Sequence, residues 1–219
     1  MSARNITHAA ADPALWTLTE AQAALAKKRI SSLELTKACL KRIERFAPRL
    51  NSFLSVEADD ALKAARAADR ARAKGDKRPL LGIPLAHKDM FARRGKTMSR
   101  GGRQSFPADK EDATVIARLN YAGALHLGPL HMVEFAFGPT GHNEHDGPAR
   151  NAWNPAHITG GSSSGTVDVK ARQDMRDVMA VSTMRTSRRA ISSIQTSRCA
   201  FISALRPGLL SCLSLTNRA

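Results

Sequence analysis

The chain has 219 residues, of which 42% are hydrophobic and 24% are charged, a composition typical of globular proteins with a buried core. Its 34 Lys and Arg residues exceed its 19 Asp and Glu residues by 15, and its three cysteines fit no disulfide or metal-binding spacing. No apolar run approaches the ~20 residues of a membrane span. These features argue against a disulfide-stapled secreted protein and against a membrane protein, and we expect a cytoplasmic location.

Three helices are predicted in the first third of the chain. The segments Thr17–Glu20 and Ser31–Glu34 both have the Ser/Thr-x-x-Glu pattern of a capping box, which marks a helix start. The second helix should end at Pro48, and it carries an apolar stripe with helical spacing that consists of Leu35, Cys39, Ile43 and Phe46. The Ala-rich segment Asp59–Lys74 predicts a third helix, which Gly75 can terminate.

Short apolar runs alternate with these helices. Asn51–Val56 is strand-like, Leu80–His87 is an apolar run of strand length, and Leu125–Leu127 predicts another strand after a helix over Asp112–Tyr121. Helices that alternate with short buried strands are typical of α/β layer structures. The sequence therefore predicts the α/β class.

The region from Gly138 to Gly165 is rich in Gly, Pro, His and Asn and has little periodicity, which is typical of a functional loop. Within it, the Gly-Gly-Ser-Ser-Ser-Gly run over Gly160–Gly165 has two interpretations. It is either a flexible linker or a loop whose N–H groups and hydroxyls surround a reacting or anionic group. It is not a phosphate-binding P-loop, because no lysine follows the last glycine.

Lys88 and Asp89 follow the apolar run that predicts a strand. They form either a solvated ion pair or a site where desolvation lowers the pKa of the lysine and lets it act as a base. Several histidines lie further along the chain, but their spacing supplies no recognised zinc ligand set, and we expect no metal. These histidines are His126, His131, His142, His145 and His157.

Three stretches in this order resemble the amidase signature family of serine hydrolases. They are Leu80–Asp89, Gly138–Asn143, and Gly147–Pro155 leading into Gly160–Gly165. The resemblance covers roughly residues 10–165, which we take as the N-terminal part (1–165) of an amidase-signature domain. It implies an α/β fold with a mixed β-sheet core flanked by helices and incomplete at its C-terminal side.

The resemblance also implies a site and an activity. The family hydrolyses amide bonds with a Ser–Ser–Lys set, in which Lys88 resembles the lysine base. Ser162 resembles the bridging serine that the family holds beside a cis peptide bond. Ala136, Phe137 and Gly138 resemble the segment that lines the acyl pocket. A small amide is the implied substrate, and this chemistry calls for no cofactor or metal.

The sequence departs from the family where the nucleophile is expected. The acyl-accepting serine should follow about two dozen residues after Ser162, in a Thr-Gly-Gly-Ser turn whose N–H groups also form the oxyanion hole. Thr186 occupies that position, no glycine is available for the turn, and Ser187 is one residue away. Losing the nucleophile removes the covalent route, and each oxyanion donor is typically worth ~10²–10³ in rate. We therefore expect this chain to have little or no amidase activity.

Residues 166–219 have a different composition from the rest. Thirteen of the 14 glycines lie at or before Gly165, whereas the last 54 residues hold 8 Ser, 5 Thr and 8 Arg. We interpret 166–219 as a divergent Arg/Ser-rich tail, disordered or read out of frame, which would make the chain a truncated copy of the family.

Two other functions stay open. The ammonia-generating subunit of a glutamine-dependent amidotransferase belongs to the same resemblance and shares the Lys–Ser–Ser set. A non-catalytic polyanion-binding protein could use Arg185, Arg188, Arg189 and Arg198 against phosphates, but the tail lacks stacking aromatics, so we expect no specific nucleic acid partner. We expect no membrane partner, and a homodimer is left open.

Overall fold

The computed structural model describes residues 12–166 and 179–181. Two short 3-10 turns cover Pro13–Leu15 and Glu134–Ala136. The helices and strands are α1 (Leu18–Ala26), α2 (Ser32–Leu50), α3 (Ala58–Ala73), β1 (Pro84–Lys88), α4 (Thr114–Tyr121), β2 (Leu125–Leu130) and β3 (Met179–Val181). Within the described residues, none of the helices has the length and apolar character needed to cross a membrane.

Capping boxes fix the starts of α1 and α2, as the sequence predicted. The Thr17 hydroxyl accepts from the Glu20 amide at 3.2 Å, and the Glu20 carboxylate accepts from the Thr17 amide at 2.7 Å. Ser31 and Glu34 form the same reciprocal pair at 3.1 and 2.8 Å. Both helix starts therefore depend on residues three positions apart, which is why they can be predicted from sequence.

The end of α2 differs from the prediction. The helix continues through Pro48 to Leu50 and is capped by Asn51 in the left-handed conformation, with φ of 52°. Pro48 removes one backbone donor, but the Asn51 amide donates to the Ala47 carbonyl and the buried Leu50 anchors the last turn. The predicted apolar stripe of this helix is buried throughout.

The predicted strand over Asn51–Val56 is wrong as a regular strand. The segment contacts β2 through an isolated antiparallel bridge between Phe53 and Leu130 and through a hydrogen bond from the Leu54 amide to the Pro129 carbonyl. At Gly128 the two backbones approach so closely that an added Cβ would lie 2.2 Å from the Ser55 carbonyl oxygen. The segment therefore crosses the edge of β2 in close contact without forming a continuous ladder.

The sheet confirms the α/β class. Its strand order is β2–β1–β3, and the described strands pair in parallel. Every residue of β1 is buried, and β1 begins at Pro84, later than the apolar run starting at Leu80 predicted. Helices α2 and α3 pack against each other and against the sheet, and the apolar core lies between these layers. Because parallel strands end at the same edge, the residues after β1 and β2 come together there.

Candidate active site

Lys88 is the last residue of β1, and its side chain lies inside the protein with 1% exposure. Its ammonium nitrogen Nζ donates to the hydroxyl oxygen Oγ of Ser162 at 2.8 Å, across 74 positions of sequence. None of the ion pairs in the described part of the chain involves Lys88. Burial without a counter-charge lowers the pKa of Lys88, which favours its uncharged amine.

The loop that carries Ser162 is packed tightly against its neighbours. The Ser162 carbonyl accepts from the Val133 amide at 3.0 Å, and the peptide bond between Gly161 and Ser162 is cis. A Cβ on Gly161 would lie 2.7 Å from the Gly138 carbonyl oxygen, so only glycine fits there. These contacts are those of a packed loop and argue against the flexible-linker interpretation, whereas the role of the loop around a reacting group stays a prediction.

His131 ties this loop to β2. Its imidazole is fully buried, its Nδ1 accepts from the Ser164 hydroxyl at 2.9 Å, and its Nε2 donates to the Gly147 carbonyl at 2.7 Å. Burial lowers the pKa of His131, which agrees with a neutral ring that accepts at one nitrogen and donates at the other. Sequence reasoning missed this role, because Ser164 lies 33 residues away and no local pattern links the two.

Asp89 does not pair with Lys88. Its carboxylate accepts from the Ser99 amide and hydroxyl at 2.9 and 2.8 Å and from the Arg100 amide at 2.8 Å. Burial raises the pKa of Asp89, and the hydrogen bonds from Ser99 and Arg100 oppose that effect. The solvated ion pair is therefore not formed, and the carboxylate instead orders the loop that follows β1.

Asn143 is a second structural residue that the sequence did not reveal. It is 2% exposed, and its amide nitrogen donates to the carbonyls of Gly101 and Met132 at 2.7 and 2.9 Å. Its amide oxygen accepts from the backbone amides of His145 and Asp146. All donors and acceptors of this buried side chain are thus used to join three loops around the site.

The predicted acyl-pocket segment lies beside the serine loop. Ala136 has a φ of 61°, Phe137 is 94% exposed, and the Gly138 carbonyl faces Gly161. Thr186, the predicted nucleophile position, lies outside the described residues. The structure thus brings together Lys88, Ser162 and the backbone of the segment predicted to line the acyl pocket.

The residues that the structure describes contain no metal site beside Lys88 and Ser162. There, no group of three His, Cys, Asp or Glu side chains is placed to hold a metal ion. The buried His131 makes hydrogen bonds with Ser164 and Gly147 instead, and the half-buried His126 makes one with Asn120 at 2.6 Å.

The structure places a buried lysine against a loop serine at the edge of a parallel sheet. The family model of the amidases matches residues 34–169, well over half of the chain. The chain therefore belongs to the amidase family, as the sequence motifs predicted.

Similar proteins match the same N-terminal region. The A subunit of glutamyl-tRNA(Gln) amidotransferase from Methylococcus capsulatus is 48% identical over 152 residues, which are 68% of this chain and 31% of that protein. The protein of the same name from Pseudomonas putida is 47% identical over 153 residues, which are 69% of this chain and 32% of that protein. The chain thus spans about a third of the length of these relatives.

Solved structures of the family have the same fold over this region. The peptide amidase from Stenotrophomonas maltophilia superposes with a TM-score of 0.66 at 34% identity, over 72% of this chain and 34% of that one. A bacterial aryl acylamidase of the amidase signature family superposes with a TM-score of 0.64 at 26% identity, over 71% and 33%. These similarities confirm the predicted fold class.

Proposed function

We propose that this chain carries the proton-relay part of an amide-bond hydrolase, with Lys88 as the general base and Ser162 as the bridging hydroxyl. The observation that carries the proposal is the 2.8 Å contact between Lys88 Nζ and Ser162 Oγ. In such a relay, Ser162 gives its proton to the lysine and takes one from an attacking hydroxyl, which makes that hydroxyl a stronger nucleophile.

Burial of Lys88 supports the role of base. A lysine acts as a base only in its uncharged form, and at an ordinary pKa of 10.5 that form is rare near neutral pH. Desolvation lowers the pKa of Lys88 and so increases the uncharged fraction. With Asp89 engaged by Ser99 and Arg100, that carboxylate does not hold the proton on the lysine.

The segment Ala136–Gly138 is proposed to contact the acyl side of a small amide. Its backbone lies against the serine loop, and the exposed Phe137 offers an apolar surface beside it. The proposed chemistry uses only proton transfer and acyl transfer, so it requires neither a metal nor an organic cofactor. We further propose that the protein acts in the cytoplasm.

Thr186 stands at the position of the acyl-accepting serine, and we propose that amide hydrolysis by this chain is weak for that reason. A glycine turn is what aims backbone N–H groups at a developing oxyanion, and the sequence around Thr186 has no glycine to form one. The interpretation of 1–165 as part of an amidase domain and of 166–219 as a disordered or out-of-frame Arg/Ser-rich tail is part of this proposal. Reading the gene in the other two frames tests it, since one of them should encode the glycine-rich turn.

Titration of Lys88 tests the relay directly. With lysine side chains labelled with ¹³C at Cε, one resonance should titrate at lower pH than the rest and should disappear in Lys88→Met. Replacing Ser162 by alanine should shift that titration, because it removes the contact of the amine. If every lysine titrates with an ordinary pKa, Lys88 is not a desolvated base and the proposed relay is wrong.

An amide assay tests the predicted weakness. Release of aromatic amine from simple aryl amides by the purified chain should not exceed that of Lys88→Met, with the exposed Lys63→Met as the matched control. Turnover that is present in the natural chain and in Lys63→Met but absent in Lys88→Met would show a working nucleophile and contradict the prediction.

A second candidate is the function of an amidotransferase subunit, which the similarity to the proteins from Methylococcus capsulatus and Pseudomonas putida favours. The relay would then act on the side-chain amide of glutamine. Ammonia release from glutamine in the presence of cell extract, compared with release from aryl amides, distinguishes the two functions. Glutamine dependence that is lost in Lys88→Met supports the amidotransferase function.

A further inference from the structure

We propose that Ser162 is itself an acyl-accepting nucleophile in this chain, with Lys88 as its immediate base and activated esters as its substrates. The inference builds on the proposed Lys88–Ser162 pair but gives the serine a different role. In the relay, Ser162 passes a proton between two groups. Here its own oxygen forms the covalent bond, and the 2.8 Å contact with Nζ already has the geometry of a nucleophile and its base.

Accessibility selects Ser162 from the serine triplet. Ser163 and Ser164 are both fully buried, and the Ser164 hydroxyl is engaged with His131. Ser162 is half-buried, so part of it faces solvent, whereas Lys88 behind it is 1% exposed. An acyl group arriving from solvent therefore meets the serine hydroxyl before it can reach the amine.

The loop holds this hydroxyl in place. The Ser162 carbonyl is fixed by the Val133 amide at 3.0 Å, and Gly161 is packed against the Gly138 carbonyl with no space for a side chain. A nucleophile that is held in contact with its base loses little conformational freedom when it reacts, which favours attack. The apolar Phe137, 94% exposed, lies one residue before Gly138 and offers a surface for the body of an ester.

The reaction balances with these two residues and water. Ser162 Oγ attacks the ester carbonyl while its proton moves to the uncharged Nζ of Lys88. The tetrahedral intermediate collapses, the bond from the carbonyl carbon to the phenolate oxygen breaks, and the Lys88 ammonium protonates the phenolate. Water then attacks the acyl-serine, Lys88 takes its proton, and the bond to Oγ breaks as that proton returns to the serine. The products are a phenol and a carboxylic acid.

The leaving group limits this activity to activated esters. A phenolate such as p-nitrophenolate departs without being protonated in the transition state, whereas an amine must be protonated before it can leave an amide. A serine–lysine pair alone can thus process esters while it leaves amides intact.

Acetylation by p-nitrophenyl acetate tests the inference on the full chain. Mass mapping should find one acetyl group on Ser162, removable by mild base as an ester is. The label should be absent in Ser162→Ala, and its rate should fall by about 10²-fold in Lys88→Met, which keeps the length of the side chain without the amine. The matched controls are Ser105→Ala and Lys63→Met, which change an exposed serine and an exposed lysine.

Three results would overturn the inference. They are an acetyl group on Lys88 as a base-stable amide, an acetyl group on Thr186 or Ser187 with Ser162 unmodified, and an unchanged acylation rate in Lys88→Met. If circular dichroism shows that Lys88→Met is unfolded, the pH dependence of acylation in the natural chain tests the inference instead. The acylation rate should then rise with pH in parallel with the titration of Lys88. If Ser162 is not acetylated although Lys88 titrates with a lowered pKa, only this inference is refuted. If Lys88 titrates with an ordinary pKa, the relay is refuted.

Discussion

Acidification should destabilise the protein because a buried histidine, His87, and a half-buried one, His126, are held without charge. His87 is 3% exposed, and its ring meets the His126 ring edge-on with centroids 5.4 Å apart. The Arg93 guanidinium lies 3.4 Å from His87 Nε2, so that nitrogen accepts and carries no proton. Burial first and the charge of Arg93 second lower the pKa of His87 to about 4 and that of His126 to about 3.

The direction of the pH effect on stability follows from the pKa values of these histidines in the folded and unfolded chain. Both pKa values lie below the ordinary 6.5 that applies to the unfolded chain, so the unfolded chain takes up protons first as pH falls. The stabilising contribution is complete above pH 6.5 and is lost on acidification toward the folded pKa values. At about pH 5, His87 and His126 should each have lowered the free energy of unfolding by about 2 kcal/mol. His131, whose pKa is also lowered, acts in the same direction. That is a large part of a typical stability of ~5–15 kcal/mol.

Urea unfolding at neutral pH and near pH 5 measures this effect. His87→Gln should reduce the loss between the two pH values by about 2 kcal/mol, because the glutamine oxygen can accept from Arg93 at either pH. His157→Gln changes an exposed histidine and should leave the loss unchanged. If His87→Gln loses as much stability as the natural chain, or if acid stabilises the protein, the reasoning is wrong.

Three further substitutions have defined expectations, each measured as a change in the free energy of unfolding in urea. Gly165→Ala should cost about 3 kcal/mol and perturb the serine loop, because the added Cβ would lie 2.2 Å from the Ser52 carbonyl oxygen. A loss below about 1 kcal/mol would mean that the backbone moves apart at little cost and would contradict this expectation. Ser31→Ala should cost about 1 kcal/mol by removing the acceptor of the Glu34 amide, and unchanged stability would argue against that cap. Asn143→Ala should cost about 3 kcal/mol, because it leaves two buried carbonyls without donors. A loss below about 1 kcal/mol would contradict this and would mean that water replaces the amide.

Much of the helical part of the fold could be predicted because its determinants are local. The capping boxes at Thr17 and Ser31 set the helix starts through residues three positions away. The end of α2 could not be predicted from Pro48 alone, since the burial of Leu50 and the cap by Asn51 outweigh one missing donor. Local rules thus succeed until a tertiary contact competes with them.

The candidate site depended on information of another kind. Composition alone favoured a flexible linker for the run around Ser162, and only the order of motifs pointed to a functional loop with a partner at Lys88. The contact of His131 with Ser164 had no signal in the sequence, because hydrogen bonds between distant side chains leave no periodic pattern. The catalytic roles of Lys88 and Ser162 stay predictions, although the two side chains are in contact.

The separation of 74 residues between Lys88 and Ser162 has a consequence for the order of folding. The capped helices α1 and α2 contain most of their determinants within a few residues and should form early, whereas the lysine–serine contact must close a long loop and should form late. Chain synthesis gives the same order, because Ser162 emerges after α1 to α4 and after β1 and β2. A ribosome-bound chain that ends before residue 162 should therefore already protect the amides of α2 from hydrogen exchange, while Lys88 still lacks its serine partner.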